Sequence, residues 1–288
     1  MRHLRAGLVQ LSVGDDPAAS LPVTLDFIRQ AAGGGAQLVL TPEVTNLLTP
    51  DRARQARLLH READDPTLAA LSAEAGRLGV WLLIGSLSLL SDAADEPRFA
   101  NRSLLIAPDG RIAARYDKIH MFDVTVSASE SYCESAAFRP GDRAVLAAGP
   151  VVGGAPVGIG MTVCYDLRFP HLYRRLARAG AQILTVPAAF NDTTGAAHWE
   201  VLLRARAIET GCFVLAPAQC GTHPAPHSPD RPPRRSHGHS LAVAPWGEVL
   251  ADGGTAPGVT LVDLDLARVA DARRRVPAWR HDPVIWGP

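Results

Sequence analysis

The chain has 288 residues, 47% of them hydrophobic, and its 29 Lys plus Arg balance 29 Asp plus Glu. That length is enough to bury a sizeable core, and a formal net charge of zero argues against nucleic acid or an anionic membrane as the main partner, leaving a small-molecule role. No apolar run approaches the roughly 20 residues of a membrane span, and the N-terminal apolar stretch is only a strand's length before Gly14-Asp15-Asp16, so no signal peptide is expected.

In chain order, Leu4 to Leu11 reads as a first strand, followed by a helix around Leu21 to Ala32 that Gly33-Gly34-Gly35 stops. A strand over Gln37 to Leu40 ends at Thr41-Pro42-Glu43. Asp65-Pro66 then supplies a cap and a first-turn proline, with Leu68, Leu71, Ala75 and Leu78 at helical spacing before Gly79. Val80 to Leu90, Arg102 to Ala107 and Arg111 to Asp117 read as strands, the last two joined by a Pro108-Asp109-Gly110 turn, which puts Lys118 at a strand end.

The apolar run Val157 to Val163 predicts a buried strand that delivers Cys164 at its end, and Phe169-Pro170 predicts a turn into a helix with Leu172, Tyr173 and Leu176 on one face. A thiol at such a junction is expected to be acidified by backbone N–H groups and the helix dipole. Further on come a strand over Gln182 to Val186, a helix from about Ala196 to Thr210, and strands at Cys212 to Pro217, Ser240 to Ala244, Glu248 to Ala251 and Val259 to Leu264. The Pro-, Arg- and His-rich segment Thr222 to His237 reads as a surface loop. The alternation of strands and helices predicts an α/β layered fold, with residues 1–288 as a single domain and no interdomain linker. Four cysteines without a C-x-x-C pair are expected as free thiols in a cytoplasmic, reducing setting.

Glu43, Lys118 and Cys164 each stand at the end of a separate apolar strand and supply a base, a cation and a nucleophile. A carboxylate can take the thiol's proton, and an ammonium can stabilise the oxyanion formed when a carbonyl is attacked. Spacing alone does not bring the three together, and each residue by itself has an ordinary structural explanation.

The segments Leu40-Thr41-Pro42-Glu43, Arg115 to Asp123 and Cys164-Tyr165-Asp166-Leu167-Arg168-Phe169-Pro170 resemble, in order, the three signature regions of the nitrilase superfamily of carbon–nitrogen hydrolases. Gly195 to Glu200 and Gly238-His239-Ser240 resemble family segments as well. The resemblance implies a four-layer αββα sandwich, Glu43 as general base, Lys118 as oxyanion stabiliser, Cys164 as nucleophile, and Glu134 as a second active-site glutamate. It also implies the backbone N–H of Tyr165 as an oxyanion donor, a homodimer or higher homo-oligomer, and no metal or organic cofactor. The implied reaction converts a small-molecule amide to a carboxylic acid and ammonia through a cysteine thioester.

Within the superfamily, His198 to Thr210 with Ala218-Gln219-Cys220-Gly221 resembles the amidases of deaminated glutathione, whereas Ala189 to Gly195 resembles the ω-amidases of α-ketoglutaramate. Arg168, Arg206 and Thr194 become substrate-binding candidates, the arginines for carboxylates, although an arginine in a helix or turn can equally hold a group of the protein itself. His237 stands where the family often has tyrosine, which bears on the substrate and not on the chemistry. A nitrile-hydrolysing enzyme, a non-catalytic binding protein, and a metal site built from His223, His227, His237 and His239 are the alternatives; the histidine spacing matches no tight zinc pattern.

Overall fold

The computed structural model describes residues 3–288 apart from 94, 128, 129, 229–233, 282, 285 and 288. Two mixed sheets form its centre. The first, seven-stranded, runs Gly258–Asp265, His3–Gln10, Leu38–Leu40, Trp81–Leu89, Phe99–Ile106 and Ile112–Asp117, with Phe138–Arg139 beside Phe99–Ile106. The second, six-stranded, runs Val249–Asp252, Leu241–Val243, Phe213–Ala216, Ile183–Thr185, Ala155–Met161 and Val145–Val152. Three neighbouring parallel strands lie inside each sheet.

The period-two alternation of side chains explains the layering. Leu4, Ala6, Leu8, Leu38, Leu40, Leu83 and Leu105 join one buried cluster with the second sheet, while Val9, Val39, Leu82, Ile84, Leu104 and Ile106 join another beneath the first pair of helices. Those helices are Pro17–Gly33 and Pro66–Leu78. On the far side, Pro170–Ala179 and Asp192–Thr210 cover the second sheet through Leu172, Tyr173, Leu176, Trp199 and Leu203. Strands buried on both faces read as nearly continuous apolar runs, and the result is the four-layer αββα sandwich implied by the sequence.

Local signals account for most boundaries. Asp65 caps its helix by accepting from Leu68 N at 2.8 Å, and Gly79 ends it at φ +66°. The strand before the thiol stops at Met161, two residues short of the expected Val163; a 3₁₀ turn, Cys164–Arg168, follows, and the helix starts at Pro170 as expected. The expected loop at 222–237 is a correction. Cys220–Thr222 pairs antiparallel with Arg235–His237, and His223 is buried, with Nδ1 2.8 Å from Val13 O and Nε2 2.8 Å from Ser236 Oγ. Its middle, 229–233, lies outside the described residues.

Gly85 fixes the separation of the two segments that carry Glu43 and Cys164. A Cβ at this position would lie 2.0 Å from Thr41 O, and 2.5 Å from both Pro42 O and Pro187 Cβ. Thr41 and Pro42 lead into Glu43, and the Pro187 carbonyl accepts from Cys164 N at 2.9 Å. Overpacking of this kind costs about 1–3 kcal/mol. Gly85→Ala is therefore expected to lower the urea unfolding free energy by about that amount, and an unchanged midpoint would contradict this account of the packing.

Candidate active site

Glu43 and Lys118 follow strands of the first sheet and Cys164 a strand of the second, and the fold brings them to one cavity of about 870 Å³ together with Glu134. Lys118 Nζ donates to Glu43 Oε1 at 3.0 Å and to the two oxygens of Glu134 at 2.9 and 2.8 Å. Lys118, Glu43 and Cys164 are all buried. Asn101 braces the cluster, donating from Nδ2 to Glu43 Oε1 at 2.9 Å and to Glu134 Oε1 at 3.4 Å, while its carbonyl accepts from Lys118 N at 3.0 Å. The other Glu43 oxygen accepts from Ala189 N at 2.8 Å, and the Phe122 amide donates to Glu134 Oε2 at 2.6 Å.

Two cluster segments are held in a backbone conformation that side chains other than glycine rarely adopt. Cys164 has φ +48°, and Val44, next to Glu43, has φ +51°, which is unusual for a β-branched residue. Val44 N is held by Ser86 Oγ at 2.8 Å. The turn at Cys164 is held by Asp166, a fully buried carboxylate that accepts from Val163 N at 2.8 Å, Tyr116 Oη at 2.6 Å and His120 N at 3.1 Å, with His120 Nδ1 at 2.7 Å. The His120 ring stacks on Phe169 with centroids 3.6 Å apart. Asp166 thus ties the segment after Lys118 to the turn after Cys164. Neither Asp166 nor Asn101 carried a role in the sequence reading; the one signal was Asp166 standing two residues after the thiol.

The arrangement also sets protonation. Burial and the adjacent Glu43 charge push the Cys164 thiol well above its ordinary value, against the pull of Lys118. This corrects the expected acidified thiol, because desolvation outweighs any favourable backbone field at a short 3₁₀ turn. Burial alone would raise Glu43, but the Lys118 charge, the hydrogen bond from Cys164 and the Ala189 amide hold it below the ordinary glutamate value. Burial opposes the Lys118 charge too, yet Glu134 and Glu43 raise its pKa and keep it cationic. The resting site is therefore a neutral thiol beside a charged carboxylate. The amide of Tyr165 is among those that a short 3₁₀ turn leaves without an internal acceptor, and Tyr165 lines the cavity.

The substrate-binding candidates divide. Thr194 is on the cavity wall, with a buried Oγ1 that has no hydrogen-bond partner among the described residues. Arg206 is not on that wall: it is buried behind the nucleophile turn, donating from Nε to Leu167 O at 2.9 Å and pairing with Glu209 at 2.9 Å. Arg168 is not on it either. Its guanidinium lies 5.8 and 5.4 Å from the Tyr165 and Phe190 ring centroids, with NH1 3.3 Å from His198 Nδ1. Both arginines brace the wall from behind. The arginines that line the cavity are instead Arg52, Arg234 and Arg235, the last two on the segment read as a surface loop.

A model of the family described as carbon-nitrogen hydrolase matches residues 5–274. The deaminated glutathione amidase of Yersinia enterocolitica is 38% identical over 287 residues, covering 99% of this chain and 95% of that protein. The omega-amidase NIT2 of Homo sapiens is 34% identical, with 98% and 95% covered. The C. elegans NitFhit crystal structure superposes with a TM-score of 0.86 at 30% identity, covering 98% of this chain, which spans 65% of that protein's length.

The raised thiol pKa has a direct spectroscopic consequence. The sign is set by a neutral acid disfavoured from ionising: the thiol stays protonated as pH rises through the 9.0 of a free cysteine and ionises above it. The thiolate absorbance lost on Cys164→Ala is expected to be absent at neutral pH and to grow only in alkaline solution beyond that value. A Cys164 thiolate band at pH 7 would contradict this.

Proposed function

The chain belongs to the carbon–nitrogen hydrolase family and is an amidase of the nitrilase superfamily; from that premise we propose that Cys164 is its nucleophile, Glu43 its acid and base, and Lys118 with the Tyr165 amide its oxyanion site. Glu134 is the positioning carboxylate that holds Lys118 from the other side. The observation that carries this reading is one buried ammonium within 3.0 Å of both glutamates, on the cavity that also holds the thiol.

In the first half-reaction Glu43 takes the Cys164 proton as sulfur attacks the amide carbon. The carbonyl oxygen becomes an oxyanion that accepts from Lys118 Nζ and Tyr165 N–H, and its charge is stabilised where water is excluded. Collapse breaks the C–N bond while Glu43 returns the proton to the leaving nitrogen, so the amine departs neutral and a thioester remains. Water then enters, Glu43 takes its proton, and hydroxide adds to the thioester. Collapse releases the carboxylic acid and returns the proton to sulfur. Each turnover consumes one amide and one water and releases one acid and one amine.

The substrate we favour is deaminated glutathione. It shares a keto-dicarboxylic acyl group with α-ketoglutaramate and differs in its leaving group, a dipeptide amine, which replaces the ammonia implied by the resemblance. A cavity of about 870 Å³ supports the larger molecule, because it lies in the upper part of the range for small-molecule sites and exceeds what a five-carbon amide needs. ω-Amidase activity is the second reading, supported by the relative at 34% identity; a nitrile substrate ranks below both. The whole chain acts as one catalytic domain. The four free cysteines, three of them buried, support a reducing cytoplasmic setting. A homodimer is supported by Val201 and Ile208, which are exposed on the outer face of helix Asp192–Thr210.

A panel of deaminated glutathione, α-ketoglutaramate, simple ω-amides and the corresponding nitriles, compared by kcat/KM, tests the assignment. The highest value is expected for deaminated glutathione. A higher value for α-ketoglutaramate would reverse the order of the two readings, and turnover of nitriles without amides would overturn both.

A further inference from the structure

Arg234 is a partly buried guanidinium on the wall of the catalytic cavity, and no carboxylate pairs with it among the described residues. Two described acids on the same wall, Asp192 and Glu130, are already engaged. Asp192 pairs with Arg235 at 2.9 Å, and Glu130 Oε1 accepts from Tyr132 Oη at 2.6 Å and from Asn191 Nδ2. Of the other cations lining the cavity, Lys118 is held between two glutamates, Arg235 is paired with Asp192, and Arg52 is exposed to solvent. A cation withdrawn from water without a countercharge is costly, and an anionic ligand would offset that cost.

The position of this guanidinium is fixed rather than trailing in solvent. One of its terminal nitrogens donates to Ala189 O at 2.8 Å, and its carbon sits 5.8 Å from the Tyr132 ring centroid. Ala189 is also the residue whose N–H binds Glu43 at 2.8 Å. A single residue therefore links the cation to the base that works on the scissile bond, so an anion on Arg234 would stand at a set distance from the reacting carbon. Among the cavity-lining polar atoms shielded from solvent and without a hydrogen-bond partner among the described residues are Arg234 Nε and Thr194 Oγ1. Those are a donor and a hydroxyl suited to a carboxylate.

We propose that Arg234 recognises a carboxylate of the substrate and is the specificity-determining cation of the site, in the role for which Arg168 and Arg206 were the candidates. This rests on the amidase reading above, since it presumes that the substrate's amide lies at Cys164. It also gives a task to the Pro-, Arg- and His-rich segment, whose end it occupies.

Binding to the full chain carrying Cys164→Ala, measured by calorimetry, tests this without turnover. The probes are glutaramate, with a carboxylate on the acyl side; N-pentanoylglycine, with one on the leaving side; and pentanamide, with none. Adding Arg234→Met is expected to raise Kd about tenfold to a hundredfold for a carboxylate probe, as for loss of a charged hydrogen bond, and to weaken pentanamide far less. Arg234→Lys should retain part of the preference. The probe that responds identifies which end of the substrate bears the recognised carboxylate. Three results would overturn the proposal: carboxylate probes unaffected by Arg234→Met, all three probes weakened equally, or a parent protein that binds pentanamide as tightly as the others. Hydrolysis of the probes by the Cys164→Ala protein would be a separate failure, that of the amidase mechanism.

Discussion

The site is organised around one buried ammonium. Lys118 lies between Glu43 and Glu134, both within 3.0 Å, and the three charges sum to a single negative charge removed from bulk water. Desolvating such groups is expensive, and a buried cluster persists only when its partners are complete; losing one partner of a buried pair costs about 3–5 kcal/mol. The same arithmetic supplies the chemistry. Lys118 keeps Glu43 ionised where burial alone would neutralise it, so the base is charged beside a thiol that burial keeps neutral. On the proposed mechanism, thiol and carboxylate are thereby poised for a transfer that occurs only as a carbonyl arrives, when Lys118 can turn part of its hydrogen bonding toward the new oxyanion.

The rest of the sandwich serves to hold that cluster against its own repulsions. Glu43 follows the first sheet's Leu38–Leu40 and Cys164 follows the second sheet's Ala155–Met161, so the distance between base and nucleophile is a distance between sheets. It is maintained by a glycine where no side chain fits, Gly85, and by the peptide group that crosses the gap, Ala189 N to Glu43, while Pro187 O holds Cys164 N within the second sheet. Positive φ at Val44 and Cys164 marks where the backbone is bent to meet these contacts. Asp166 then couples the turn after Cys164 to the segment after Lys118 through Tyr116 and His120. None of these constraints touches a substrate, yet each fixes an atom that does.

Much of the fold was legible because its signals are local. Asp65, Pro66 and Gly79 bound a helix as their chemistry dictates, and doubly buried strands read as apolar runs. The short helix Arg52–Leu58 and the hairpin Asp123–Ser127 with Glu130–Cys133 escaped notice because they carry little apolar periodicity. The proposed catalytic residues could be nominated by type and by resemblance, but their convergence spans 75 positions from Glu43 to Lys118 and 121 from Glu43 to Cys164, which no local pattern encodes. Two readings failed for the same reason. The acidity of the thiol depends on burial by distant segments, and whether Arg206 or Arg234 faces the cavity depends on which carbonyls and rings the fold sets beside them.

The claim on which everything else rests is that the acyl group of the substrate passes through the sulfur of Cys164. Rapid acid quenching during turnover, followed by peptide mapping by mass spectrometry, observes this directly. The account predicts an acyl adduct on the peptide carrying Cys164 and on no peptide carrying Cys133, Cys212 or Cys220. An adduct on one of those other cysteines, or sustained turnover by a Cys164→Ala protein that forms no adduct, would contradict it.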